Sequence, residues 1–284
     1  MFGGETEPGI LRLCLVGVSG LVGQSLIEEA RSRPQFRLTG LVRSEAPLPP
    51  GARIELVMAD PAGWPRALAD LAPTTVICTL GTTRAKAGSE AAFRAVDVDL
   101  VLAVAQAAKA AGAEHFILVS SVGADPTAGN AYLRAKGDAE AAVARLGFRR
   151  LDMARPAMLV GPRRESRPLE WIAQKALPLF DGLLLGKARR FRTIRACVLA
   201  RALLGLATER AGGRFVHEHD GLLRAARRLG GKPLPRLTPA GRHGTSDHSL
   251  TARESPADSP QADRRAPKEQ PPRKLSGTRD RAGR

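Results

Sequence analysis

The stretch LVGVSGLVGQSL, residues 15–26, sets Gly17, Gly20 and Gly23 at GxxGxxG spacing, directly after the apolar run ILRLCLV at 10–16 and at the start of a helical pattern. Each glycine has its own physical reason in such a turn. The first permits the tight reversal, the second lets backbone approach a pyrophosphate, and the third lets the helix pack on the strand. The helix N-terminus behind the turn presents free N–H groups and a partial positive charge to phosphates. Strand, turn and helix in this order point to a dinucleotide-binding turn, with Gly17, Ser19, Gly20, Leu21, Val22 and Gly23 as its contact positions.

Outward from this turn, short apolar runs alternate with longer helical patterns, the mark of βαβ units on a parallel sheet. Strands are expected at 10–16, 36–43, 53–58, 74–79, 115–121 and 149–155, and helices near 21–32, 62–71, 90–111 and 131–146. TTVICTL (74–80) is nearly continuously apolar, as a central strand covered on both faces should be. The fold class is therefore α/β, a doubly wound parallel sheet of the Rossmann type spanning residues 1–162. Beyond Pro162 the pattern loosens into helices near 169–179 and 195–210 and a strand at 214–218. We expect 163–229 to form a small C-terminal cap closing over the sheet's C-terminal edge and completing the same domain.

The second strand ends in LTGLVRSEAP, with Arg43 and Ser44 where an NAD site would place a carboxylate on the ribose 2'-hydroxyl. A guanidinium suits a 2'-phosphate through forked, charge-assisted hydrogen bonds, so NADP(H) is expected over NAD(H), with Glu45 close enough to complicate the preference. Asp60, at the end of the third strand, either accepts from an adenine amino group or caps the helix that follows Pro61. After the fourth strand, Leu80, Gly81, Thr82 and Thr83 lay backbone and hydroxyl groups beside the cofactor's ribose and phosphates.

Composition narrows the alternatives. The formal charge is +16, but residues 230–284 hold 12 Lys or Arg against 6 Asp or Glu and 8 of the 21 prolines. With few large apolar residues this basic, Pro-rich tail cannot bury enough surface to offset its ordering entropy, so disorder is expected. Aromatics for base stacking make up only 4% and no recognition motif occurs, which argues against nucleic-acid binding. No apolar run approaches the ~20 residues of a membrane span. The start lacks a basic n-region and a cleavage site, so a cytoplasmic location is expected. Cys14, Cys78 and Cys197 are far apart and suggest reduced thiols, not a disulfide framework or zinc site. His217 and His219 in VHEHDG would share a face at a strand end, but no third ligand stands nearby, so no metal is expected.

AYLRAKG, residues 131–137, holds Tyr132, the one tyrosine of the chain, with Lys136 four residues on. One helical turn separates them, so they share a face. An ammonium near a phenol favours the phenolate, which fits such a tyrosine to exchange a proton with a carbonyl or alcohol oxygen at neutral pH. The strand HFILVSSVGAD delivers Ser120 and Ser121 to the sheet edge just upstream, where a serine hydroxyl would position the same oxygen.

Taken together, GVSGLVG, CTLGTTRAKAGS, FRAVDVDLV, HFILVSSVGAD, YLRAKGDAEAAV, ARPAMLVG and RRESRPLEWIAQKALP make the chain resemble the short-chain dehydrogenase/reductases, and within them the atypical branch, over roughly residues 10–225. The resemblance implies a Rossmann fold and NADP(H)-linked redox chemistry. It implies Tyr132 as acid/base and Lys136 as its partner and holder of the nicotinamide ribose. Ser121 matches the serine position better than Ser120, and Arg155 and Pro156 match the segment that backs the nicotinamide. Two departures stand out: Ser121 and Tyr132 are 11 residues apart where commoner members have about 13, and Asp97 stands near where many relatives carry a catalytic asparagine.

Past the core, Trp171, Ile172 and Leu177 are candidate pocket walls or ordinary cap residues, and Arg163 and Arg164 face either an acidic substrate or solvent. The expectation is an NADP(H)-dependent oxidoreductase acting on a small-molecule carbonyl or alcohol. The rival reading is a cofactor-sensing regulatory module that contacts a protein partner.

Overall fold

The computed structural model describes residues 9–161 and 184–231, all within one compact unit. The helix expected at 169–179, the tail expected to be disordered, from residue 232 onward, and Arg163, Arg164, Trp171, Ile172 and Leu177 lie outside the described residues.

Seven strands form one parallel sheet: β1 (Leu11–Val16), β2 (Phe36–Val42), β3 (Glu55–Met58), β4 (Thr75–Cys78), β5 (His115–Val119), β6 (Arg150–Ala154) and β9 (Gly213–His217). A small separate pair is made by β7 (Leu159–Val160) and β8 (Ile194–Arg195). The large sheet runs β3-β2-β1-β4-β5-β6-β9, with the chain reversing its direction of growth between β1 and β4. In open α/β sheets that crevice, at the carboxyl ends of the strands, is where ligands bind. All six strands expected in the core occur, each within two residues of its expected ends.

Alternation along the strands builds two cores. Leu13 and Leu15 of β1 face α1 (Leu21–Ala30), α7 (Ala196–Ala207) and α8 (His219–Arg228), while Cys14 and Val16 face the opposite layer of α2 (Trp64–Leu71), α5 (Val101–Ala110) and α6 (Ala131–Ala144). Burial pushes the Cys14 thiol up to about 12 and the Cys78 thiol up to about 11, so neither is a thiolate at neutral pH. Cys197, unlike these two, is exposed.

Two expectations need correction. The single helix foreseen at 90–111 is three segments, α4 (Glu90–Arg94), a π-helical turn (Ala95–Leu100) and α5, preceded by the short α3 (Arg84–Ala87). The extra residue of a π turn rotates the side chains that follow, and here it carries Asp97 into the protein, where it is almost fully buried. Secondly, residues 194–231 are not a cap over the sheet edge. β9 is hydrogen-bonded to β6 as the seventh strand, and Leu199, Leu203 and Leu204 of α7 are fully buried in the α1-side core. An apolar helix of this kind is driven into a core layer because an edge position would leave it wet.

A buried polar cluster fastens β9. Asp152 of β6, with no exposed surface, takes His115 Nε2 and His217 Nε2 at 2.6 Å each and a forked pair from Arg150 at 2.6 and 2.9 Å. The Arg150 guanidinium also stacks over Phe215 of β9, 4.4 Å from the ring centre. His217 and His219 therefore do not share a face: the first ends β9 on Asp152, and the second starts α8 beside Asp220 at 3.0 Å.

Candidate active site

The glycine turn lies at the β1/β4 crevice. Gly17 has φ +99°, a region few L residues tolerate, and a Cβ there would stand 2.8 Å from the Thr79 carbonyl carbon. Thr79 Oγ1 closes the same contact, its single hydrogen shared between the Val16 and Gly17 carbonyls, each at 3.1 Å. A Cβ on Gly23 would strike the Gly17 carbonyl oxygen and lie 2.9 Å from that of Val18, so α1 rests directly on the turn. Gly20 is exposed and serves as the N-cap of α1 with no side chain capping it. The first-turn N–H groups of α1 thus stay available, as a pyrophosphate requires. Ser19 is exposed beside Gly20, Leu21 is half-buried against Gly161, and Val22 turns into the core.

At the end of β2, Arg43, Ser44 and Glu45 are exposed, and Arg43 has no ion-pair partner among the described residues. Asp60 is drawn into a local turn: its Oδ1 accepts the N–H of Gly63, the N-cap of α2, at 2.7 Å. This bond lies just ahead of α2, whose first turn receives no side-chain cap.

After β4, Leu80 and Thr82 are half-buried while Gly81 and Thr83 are exposed. Thr83 Oγ1 accepts the Lys86 N–H at 3.2 Å and caps the short α3. The Thr82 N–H donates to Asp97 Oδ2 at 2.8 Å, and Asp97 Oδ1 lies 2.8 Å from Lys136 Nζ. Gly81 faces this pair; a Cβ there would stand 3.3 Å from Asp97 Oδ1 and 3.5 Å from Lys136 Nζ. The strand-end loop next to the crevice and the helix carrying the Tyr132–Lys136 pair therefore meet at one buried ion pair. The departure noted in the sequence, Asp97 for asparagine, becomes a direct carboxylate–ammonium contact.

Helix α6 starts at Asn130, whose Oδ1 accepts from the Tyr132 and Leu133 N–H groups at 2.9 and 3.3 Å. That cap fixes Tyr132 in the first turn. Its ring is half-buried against Phe93, with centroids 5.7 Å apart, and its hydroxyl has no hydrogen bond among the described residues. Ser121 Oγ reaches only the Val122 carbonyl, at 3.4 Å, so no bond joins Ser121 to Tyr132 across their eleven-residue separation. Ser120 Oγ is buried without a hydrogen-bond partner among the described residues.

The same face of α6 continues through Glu140, four residues beyond Lys136. Glu140 takes a forked pair from Arg155, at 2.8 Å from Nε and closer still from Nη2, which raises the Arg155 pKa further. The Arg155 N–H donates to the His217 carbonyl, and the Pro156 carbonyl accepts from the Val122 N–H at 3.0 Å. The guanidinium of Arg155 is thus committed to α6, while its backbone and Pro156 line the ends of β6 and β5. Sequence reading had not found Glu140 as its partner; the i, i+4, i+8 spacing of Tyr132, Lys136 and Glu140 was the available signal.

The parallel sheet, the reversal at β1/β4 and the uncapped glycine turn define a Rossmann-type dinucleotide-binding domain. The chain belongs to the NAD(P)H-binding family, whose model matches residues 17–162. It is 36% identical to the mitochondrial protein fmp52 of Emericella nidulans over 57% of this chain and 72% of that one. The corresponding protein of Aspergillus clavatus is 34% identical, over 67% and 84% respectively. HTATIP2 of Rattus norvegicus is 52% identical over a shorter region, 34% of this chain and 40% of that one. Among solved structures, MoeE5 in complex with UDP-glucose and NAD aligns with a TM-score of 0.55 at 20% identity, covering 72% of this chain and 74% of that one. WbmH of Bordetella bronchiseptica in complex with NAD+ aligns with a TM-score of 0.55 at 19%, covering 74% and 75%. These two show the fold. The expected kinship with the atypical short-chain dehydrogenase/reductases is borne out. The expected cytoplasmic location is not: the fungal relatives are named mitochondrial. No helix among the described residues is long and apolar enough to cross a membrane.

Proposed function

We propose that the protein is an NADP(H)-dependent oxidoreductase that interconverts a small carbonyl compound and its alcohol. The observation that carries this reading is that the segment after β4 touches both the uncapped glycine turn, through Thr79 beside Gly17, and the helix that bears Tyr132 and Lys136, through Gly81 and Thr82 beside the Asp97–Lys136 pair. Gly17, Ser19, Gly20, Leu21, Val22 and Gly23 hold the pyrophosphate. Leu80, Gly81, Thr82 and Thr83 lie along the ribose, and Arg155 and Pro156 back the nicotinamide. Asp60, though engaged with Gly63, keeps its second oxygen for the adenine amino group. When bound, the nicotinamide supplies or accepts the hydride.

The chain's own residues then manage the proton and the substrate oxygen. Tyr132 donates its phenolic proton to a carbonyl oxygen, or takes one from an alcohol, because the unpartnered hydroxyl stands one turn from an ammonium held at the crevice. Lys136 is kept in place by Asp97 beside Gly81. Ser121 orients the substrate oxygen, its present 3.4 Å contact to Val122 being weak enough to exchange. Preference for NADP(H) over NAD(H) is supported by the exposed Arg43 and Ser44, with no carboxylate at the end of β2 itself to accept from a ribose 2'-hydroxyl.

A panel of aldehydes and ketones, followed by NADPH absorbance with Tyr132→Phe as control, tests the reading. Turnover above the control is expected. Tight NADPH binding with no turnover on any member above Tyr132→Phe removes the enzyme reading.

A further inference from the structure

Gln24 stands in the first turn of α1, next to Gly23. Its carboxamide nitrogen donates both hydrogens, one to the Val18 carbonyl and one to the Pro47 carbonyl, each at 2.9 Å. Val18 lies inside the glycine turn. Pro47 lies in the connection from β2 to β3, five residues after the strand ends at Val42. One side chain therefore ties together two loops that a dinucleotide would touch at two different groups, its pyrophosphate and its adenosine ribose.

The connection is anchored on both sides of its exposed residues. Val42 and Ala46 are buried in the α1-side core, and Arg43, Ser44 and Glu45 bow outward between them. Beyond the bow, Pro47 fixes its own φ and restricts Ala46 to extended backbone, while Gln24 holds its carbonyl. Further along, Arg31 Nη1 donates to the Pro50 carbonyl at 2.9 Å and Leu48 packs against the core. The bow is three residues long with fixed ends, so its shape follows from where those ends are held.

We infer that Gln24 is a positioning residue for cofactor selectivity: by fastening Pro47 to the glycine turn it presents Arg43 and Ser44 to a 2'-phosphate without touching the cofactor itself. The inference rests on the proposed preference for NADP(H). An arginine on an untethered loop must lose backbone and rotamer freedom on binding, and prior anchoring removes much of that loss. The advantage is confined to the 2'-phosphate, because NADH offers nothing for Arg43 to grip. Loss of the tether also frees Glu45, whose charge opposes a phosphate.

The test is a titration of the full chain with NADPH and with NADH, read by nicotinamide fluorescence, for wild type, Gln24→Ala, Arg43→Ala and the double variant, with thermal melts to establish folding. Gln24→Ala is expected to weaken NADPH about tenfold and NADH less than twofold, and to cause no further loss in the Arg43→Ala background. Gln24→Met, which keeps the side chain's length without its donors, is expected to repeat the result and serves if the alanine variant does not fold. An equal loss for both cofactors would assign Gln24 to the glycine turn alone and overturn the inference. So would an undiminished loss when Arg43 is already absent, or an unchanged NADPH-to-NADH ratio. A wild type that binds the two cofactors equally removes the NADP(H) preference and this role with it; a wild type that prefers NADPH while the Gln24 variants keep its ratio removes this role only.

Discussion

Lys136 Nζ and Asp97 Oδ1 stand 2.8 Å apart with both side chains almost wholly out of solvent, and the second oxygen of Asp97 holds the Thr82 N–H at the same distance. Removing one partner of such a pair leaves the other charge buried and uncompensated, a loss of about 3 to 5 kcal/mol. Asp97→Ala is expected to destabilise the fold by that amount in urea unfolding. Asp97→Asn, which can still accept from Thr82, is expected to cost less. Equal, small losses for both variants would show the pair to be energetically idle.

Gly23→Ala places a methyl group against the Gly17 carbonyl oxygen, and neither backbone has room to yield without moving α1. A loss of about 1 to 3 kcal/mol in stability is expected. Because the displaced atoms form the turn itself, cofactor affinity measured by fluorescence is expected to fall more than tenfold. A variant that keeps wild-type affinity would place the pyrophosphate elsewhere.

Ser120 and Ser121 separate by their surroundings. The Ser120 hydroxyl is buried without a partner, and a buried unmade hydrogen bond costs about 1 to 3 kcal/mol, so Ser120→Ala is expected to leave the melting temperature unchanged or raised. Ser121→Ala is expected to leave stability alone and to lower kcat/KM roughly a hundredfold, the scale of losing a hydrogen bond donated to a reacting oxygen. Kinetics that reverse this order would move the orienting role to Ser120.

Acid should loosen the β5–β6–β9 side of the sheet through Asp152 and His115. Burial lowers the His115 pKa below its usual range, against the pull of Asp152. Burial alone would raise the Asp152 carboxyl, but hydrogen bonds from His115, His217 and Arg150 outweigh it and hold the group well below the usual carboxylate range. A histidine depressed on folding contributes stability that is complete above its unfolded value of about 6.5 and is lost as pH falls through the lower folded value. The depressed carboxylate acts in the same direction at lower pH, its contribution complete above about 3.9 and lost as pH falls through the folded value. The urea midpoint is expected to fall from pH 7 toward pH 4, with a shallower slope between pH 7 and 5 in His115→Gln. A flat profile in the wild type would contradict it.

The glycine turn, the core strands and the Tyr132–Lys136 pair were legible in the sequence because each rests on short-range pattern: alternation in strands, fixed spacing in turns, one helical turn between partners. The π turn at Ala95–Leu100 was not, since AVDVDL carries no glycine or proline to interrupt a helical reading. Helix α8 escaped for the opposite reason: the alternating His217 and His219 of VHEHDG read as the end of a strand. Arg155 was visible as a residue after the sixth strand, but nothing local pointed to Glu140, fifteen positions earlier on another element.

By itself, then, the sequence determined the parallel α/β class, the glycine turn between β1 and α1 and the one-turn spacing of Tyr132 and Lys136 on α6, because these follow from backbone conformation and periodic burial over a few residues. Tertiary structure alone decided that Asp97 pairs with Lys136, that Glu140 takes Arg155, that Gln24 joins two loops and that β9 completes the sheet. Each of these depends on elements distant in the chain arriving side by side, and buried polar groups then take whatever partner the packing supplies, since leaving them unpaired costs more than any local preference.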